Sequence, residues 1–248
     1  TYTPKLTIEN SATASGTVIA CPITGPGELT KAYDGDVLLT ASNDFSLGLV
    51  LQDAGTVYVT NASSLGAGNL VAGGVDSRIG LHASALEDEI TITNNVDTAA
   101  PVMRTNYGTV TNVVGGVTNV TTNSTNVTTT YYVMAFAPGT NTNTGLVRSI
   151  RLDSLVTNAG LLKISGNGNL FVNNPLNSYT GGTEIGTGSI VISNPAVLST
   201  GPVNFGTTTN SFLRLAADMT LPNLVTASGV NTNSTNVIKY TANLAVDA

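Results

Sequence analysis

The stretch NSYTGGTEIGTGSIVISN, Asn177 to Asn194, decides how this chain is read. It holds no His, Cys, Lys or Arg, and its one acid is Glu184. Gly, Thr, Ser and Asn alternate with Ile and Val. Alternation places every second side chain on one face of a strand, and Gly and Asn suit the turns between strands. Eighteen residues this quiet chemically have the character of a building unit, and a building unit should recur.

It does recur. GTVYVTNASSLGAGNLVAG, from Gly55, aligns without a gap with GSIVISNPAVLSTGPVNFG, from Gly188, at an offset of 133. Gly55, Asn61, Leu65, Gly68 and Gly73 fall on Gly188, Asn194, Leu198, Gly201 and Gly206. Upstream, Asn43, Phe45, Ser46, Gly48 and Leu51 face Asn177, Tyr179, Thr180, Gly182 and Ile185 at 134. Further back, Gly27, Leu29, Gly35, Val37 and Leu39 face Gly160, Leu162, Gly168, Leu170 and Val172 at 133. Downstream, Ile79, Leu81 and Ala83 face Leu213, Leu215 and Ala217. Residues 23–96 and 156–230 therefore read as two copies of one module, with 97–155 connecting them.

Composition agrees with an all-β chain. Charged residues are 10% of the 248, against roughly 25% in an average soluble domain, and there are 26 Gly. Thr and Val are abundant, and their β-branched side chains suit a pleated surface. No segment reads as a convincing helix; 84–89 offers at most one turn. Asn61 and Asn194 close equivalent strands and are expected to form turns, because Asn tolerates positive φ. Strands of four or five residues cannot bury a core alone. Stacked coils solve this, each adding a rung to one continuous core. About ten coils at roughly 4.8 Å would give a rod of roughly 50 Å. An antiparallel sandwich also uses many short strands, but it does not require matching turn spacing 133 residues apart. The expected architecture is one β-solenoid over 1–248.

The order ITGPGELTK (Ile23–Lys31), GDVLL, N-x-[FY]-[ST]-x-G at Asn43 and Asn177, and G-x-[VI]-x-[VI]-[TS]-N at Gly55 and Gly188 resembles the autotransporter-associated β-strand repeat. The resemblance covers both modules. It implies a right-handed parallel β-helix carried outside a bacterial cell, as in autotransporter passengers and large surface proteins. The alternating segments of about ten residues that would mark an outer-membrane barrel are not found. The chain therefore reads as a passenger segment, or as a surface protein exported by another route.

Two regions stand apart. VTNVVGGVTNV, Val110 to Val120, is nearly palindromic about Gly115-Gly116 and predicts a hairpin near 110–120 that projects from the solenoid. TTNSTNVTTT, 121–130, reads as a polar turn or loop. At the ends, Tyr2, Thr3, Leu6 and Ile8 are echoed by Tyr240, Thr241, Leu244 and Val246. The echo fits one period of a longer array. It also fits head-to-tail stacking of terminal strands in a homo-oligomer, since open solenoid ends are unpaired edges.

Candidates for chemistry are few. His82 is the only histidine and has no partner at ligand or catalytic spacing. Cys21 is the only cysteine and reads as a small buried apolar residue. Asp34-Gly35-Asp36 and Glu87-Asp88-Glu89 have the oxygens of a Ca²⁺ site but no known loop pattern around them. Arg148, Arg151 and Asp153 form the best local charged cluster, with Arg151 and Asp153 on one strand face. A net charge of -6 with scattered cations argues against nucleic acid, and no apolar run is long enough to insert in a membrane. No catalytic, cofactor-binding or metal-binding residue is nominated. The expectation is an extracellular structural β-solenoid of a bacterial cell surface: a stalk, fibre or filament subunit and not an enzyme. The alternative is an adhesin that contacts a cell surface or glycan, with a glycan-active β-helix enzyme behind it.

Overall fold

A computed structural model describes residues 4–11, 16–99, 102–114, 117–130, 132–206, 210–227, 236–240 and 244–245, with side chains described outside 102–130 and up to 227. The chain is an all-β solenoid of parallel strands. It winds over three faces in a fixed order. On the first face lie Lys5–Glu9, Glu28–Ala32, Gly48–Leu51, Leu70–Ala72, Val96–Asp97 and Val156–Thr157, each paired parallel to the next. The second face runs through nine strands, from Thr17–Ile19 by way of Ser77–Leu81 and Val133–Ala137 to Val225–Ala227. Nine rungs at roughly 4.8 Å give eight steps, or about 38 Å. The third face stacks Glu89–Ile92, Ser149–Leu152, residues 169–172, residues 188–192, Ser211–Leu215 and Asn236–Tyr240.

The core follows from this register. Leu29, Leu49, Leu70, Val96 and Val156 align rung by rung on the first face. Val37, Val57, Ile79, Phe136, Ile164, Ile185 and Phe205 do so on the second, and Ile90, Ile150, Leu170, Ile190 and Leu213 on the third. All are buried in one cluster. Burying each such side chain is worth about 1.5–3 kcal/mol. No rung is stable alone, and stacking supplies both the hydrogen bonds of its edges and the cover for its apolar face.

Most aligned apolar positions of the two modules fall in strands, although Leu161–Val172 and Thr183–Ile192 each join what the first copy divides into two strands, and the copies do not stack on one another. Val37, Val57 and Ile79 of the first copy sit on the second face. Their equivalents Leu170, Ile190 and Leu213 sit on the third. Leu29, Leu49 and Leu70 lie on the first face, and Leu162, Thr183 and Val203 on the second. Between Glu28–Ala32 and its equivalent at 161–164 the chain makes four turns and one further side. The second copy is therefore displaced by one face about the solenoid axis.

Several expectations are corrected. Two 3₁₀ helices are present, Ala62–Leu65 and Pro195–Leu198. Asn61 and Asn194 precede them with extended backbone, at φ -156° and -145°, and not with positive φ. Each acts as an N-cap: its side chain accepts the N–H of Ser64 or of Ala196. Cys21 is exposed, on a bend beyond Thr17–Ile19, and Ile23 packs against the core from that connection instead. Residues 121–130 are not a loop. They continue Val117–Thr130, which pairs antiparallel with Val102–Val114 in a two-stranded sheet of its own. Seven of those ten residues are Thr or Val, and that β-branched content outweighs their polarity. The expected hairpin is thus longer than 110–120; its two linking residues, 115–116, lie outside the described residues. No helix among the described residues is long and apolar enough to cross a membrane.

Candidate functional site

The charged residues singled out in the sequence are drawn into the framework. Lys31 points inward and is fully buried. Its Nζ donates to the carbonyls of Tyr33 and Ala54. Burial lowers its pKa, while the carboxylates of Asp36, Asp53 and Asp34 act in the opposite sense. Two of these are the acids weighed for Ca²⁺, and the turn that carries them is built around an ammonium group. Asp36 also accepts the Thr56 N–H at 2.7 Å, and Asp53 the Tyr33 N–H at 2.9 Å. Among the described residues no three His, Cys, Asp or Glu side chains converge as a metal site.

Arg148, Arg151 and Asp153 part company. Arg148 is 1% exposed and clasps the turn after Leu81, donating to the carbonyls of His82, Ala83 (3.0 Å) and Ala85 (3.1 Å). Its Nε lies 3.5 Å from Asp88, which accepts the Asn141 amide at 2.7 Å. Arg151 lies on the solenoid's outside, 3.7 Å from Glu89 and with its guanidinium 4.5 Å from the Phe171 ring centre. Asp153 accepts from Asn173 at 2.6 Å. Glu87-Asp88-Glu89 is divided in the same way, with Asp88 facing Arg148 and Glu89 facing Arg151.

His82 stands edge-on to Tyr58, with ring centres 5.8 Å apart. Its Nδ1 accepts the Ser84 N–H at 3.2 Å and lies 2.8 Å from the Ser84 hydroxyl. An Nδ1 that accepts leaves the neutral ring's proton on Nε2. The two rings border an open groove of about 420 Å³, walled also by Val18, Asp36 and Leu38. The Asp36 carboxylate on that wall is already held by the Thr56 N–H.

A second concavity, of about 220 Å³, was not visible as a site in the sequence. It gathers Asn167, Asn169, Ser189, Asn210, Phe212 and Arg214 on the third face. Neighbouring rungs supply them: Asn169 pairs with Ser189, and Ser189 with Phe212. The Arg214 guanidinium lies 5.7 Å from the Phe212 ring centre. The signal that could have found it lies in the repeat. Asn167, Asn169 and Asn210 occupy the positions of Asp34, Asp36 and Asp76, and Arg214 that of Gly80.

No family model, no curated protein and no solved structure matches the chain.

Proposed function

We propose that the chain is a structural rod: an extracellular β-solenoid segment of a bacterial surface protein, working as stalk, fibre or filament subunit and without catalysis. The observation that carries this reading is the fate of its polar side chains. Asn43 accepts the Ile23 N–H at 2.8 Å and donates to the Ser64 carbonyl at 2.6 Å, tying the rung before it to the rung after. Asn177 repeats both contacts with Val156 and Val197, each at 2.8 Å. Asn94 spans the Gly66 and Gly68 carbonyls, and Asn223 those of Ser199 and Gly201. Lys31 and Arg148 fasten turns. Side chains that elsewhere do chemistry here serve length and rigidity.

The bacterial surface enters through the resemblance of both modules to the autotransporter-associated repeat. Head-to-tail contact between copies of the chain rests on the echo between its ends: Leu6 lies in an edge strand paired on one side, and Leu244 in a strand paired to Met219–Thr220. Negative-stain electron microscopy across a concentration series tests the reading. Uniform rods that lengthen into fibres with concentration are expected. Compact particles, or turnover of a panel of polysaccharides by the purified chain, would overturn it.

A further inference from the structure

We propose that the concavity around Arg214 is a binding site for a carboxylated sugar of an anionic glycan, an assignment that does not depend on the rod reading. Three observations converge. The first is charge. Among cations with described side chains, Lys5, Lys163, Arg78, Arg148 and Arg151 each meet a carboxylate within 4.0 Å, and Lys31 lies in the field of three. Arg214 alone has no acidic partner among the described residues, in a chain of net charge -6. The second is the state of the amides. Asn43, Asn94, Asn177 and Asn223 all spend their side chains on the backbone. The side chains of Asn167, Asn169, Asn210 and Ser189 make no hydrogen bond to a described residue, and they line the same concavity as Arg214.

The third is the comparison between the copies. At the equivalent place the first copy carries Asp34, Asp36 and Asp76, with Arg78 paired to Asp76 at 2.6 Å. The second copy replaces all three acids by amides of the same shape and places Arg214 where Gly80 stands. Formal charge at these positions passes from net negative to net positive, and the bend between Glu28–Ala32 and Val37–Leu39 that carries Asp34 and Asp36 gives way to the continuous strand Leu161–Val172 that carries Asn167 and Asn169. The first copy's acids stand beside Lys31 and Arg78, whose equivalents are Ile164 and Phe212, so the loss of those cations accounts for the amides; the gain of Arg214 in place of Gly80 has no such account.

The chemistry selects the ligand. A guanidinium binds a carboxylate in bidentate fashion. Amides and a hydroxyl both donate and accept, which matches the hydroxyls of a sugar, whereas a phosphate would call for donors alone. The volume is below the roughly 300 Å³ at which pockets for drug-sized ligands begin, so it admits one ring of a chain lying along the surface.

Calorimetry of the purified chain with oligogalacturonate and with sialyllactose, beside neutral galacto-oligosaccharides and inorganic phosphate, tests the assignment. Binding of at least one carboxylated sugar is expected, at least tenfold tighter than its neutral counterpart and weakened by salt. Arg214→Gln should weaken it at least tenfold. Asn169→Asp, which restores the first copy's acid, should do the same. Both positions face solvent, so unchanged melting curves are expected, and either variant alone suffices if the other misfolds. No binding by the unaltered chain, equal binding of neutral sugar, phosphate competing as well as the uronate, or full binding by Arg214→Gln would each overturn the proposal.

Discussion

Asn177 shows how much of this fold rests on single polar side chains. Its amide satisfies a buried N–H below and a carbonyl above, and it is itself buried. Asn177→Ala leaves both unpaired and is expected to cost about 2–3 kcal/mol in urea unfolding. Asn61→Ala removes a helix cap together with side-chain contacts to Ser63 and Thr60 that water can replace, and should cost about 1 kcal/mol. A second residue-scale test comes from Tyr179, whose hydroxyl lies 2.7 Å from that of Thr183. The first copy has Phe45 and Leu49 at these positions, so an apolar pair and a hydrogen-bonded pair fill the same space. Tyr179→Phe strands the buried Thr183 hydroxyl and should cost about 1–2 kcal/mol at neutral pH, while Tyr179→Phe with Thr183→Leu should recover most of it. Burial also pushes the Tyr179 phenol well above its ordinary pKa, with the Thr183 hydrogen bond opposing in smaller measure. The unfolded chain releases that proton near pH 10 and the folded chain keeps it, so stability falls as pH rises beyond about 10, by about 1.4 kcal/mol per unit. Tyr179→Phe lacks this loss, and urea midpoints from pH 8 to 11 should show its deficit shrinking above pH 10. A constant gap would contradict the assignment.

Elements were largely legible where alternation and a glycine marked them. GTVYVT and GSIVIS lie in strands; Gly55 directly precedes Thr56–Val59, and Gly188 sits within Thr183–Ile192 where the chain passes from the second face to the third, both at φ +84°. A Cβ at Gly188 would lie 2.2 Å from the Gly166 carbonyl oxygen, and one at Gly55 would lie 2.5 Å from that of Asp34. Gly188→Ala therefore combines a left-handed backbone with a clash and should cost at least about 2 kcal/mol. The caps were not legible as caps. Asn61 reads equally well as a turn residue of positive φ, and only the direction of the following chain decides between the two. The strand at 121–130 was hidden for another reason: Thr and Asn look like a loop by polarity, and their partner lies in the preceding strand. Because that hairpin pairs within itself, replacing 102–130 by a short Gly-Ser link should leave β circular dichroism and cooperative unfolding intact, with the melting temperature within a few degrees. Loss of cooperative unfolding would show that the hairpin belongs to the core.

At the scale of the whole molecule, the repeat told which residues are equivalent but not which residues touch. Equivalence follows from composition and spacing. Stacking depends on how many sides the chain makes between the copies, and the short strands Val96–Asp97 and Val156–Thr157 carry too little pattern to be counted in sequence. The result is a rod in which the second module presents its outer surface one face away from the first. The site around Arg214 was veiled by the same effect, since its residues come from three rungs and acquire meaning only beside Asp34, Asp36 and Asp76. The arrangement is tested most directly by paired cysteines. Thr91 and Arg151 are register partners on the third face, as are Arg151 and Phe171. Parallel neighbours about 4.8 Å apart lie within reach of a disulfide, in a background where the exposed Cys21 is replaced by Ser. Thr91→Cys with Arg151→Cys, and Arg151→Cys with Phe171→Cys, should oxidise to intramolecular crosslinks in the native chain. Gly80→Cys with Phe171→Cys, which would be neighbours if the copies stacked face on face, should not. Crosslinking of the last pair, with none in the first two, would contradict the one-face displacement and the solenoid register built on it.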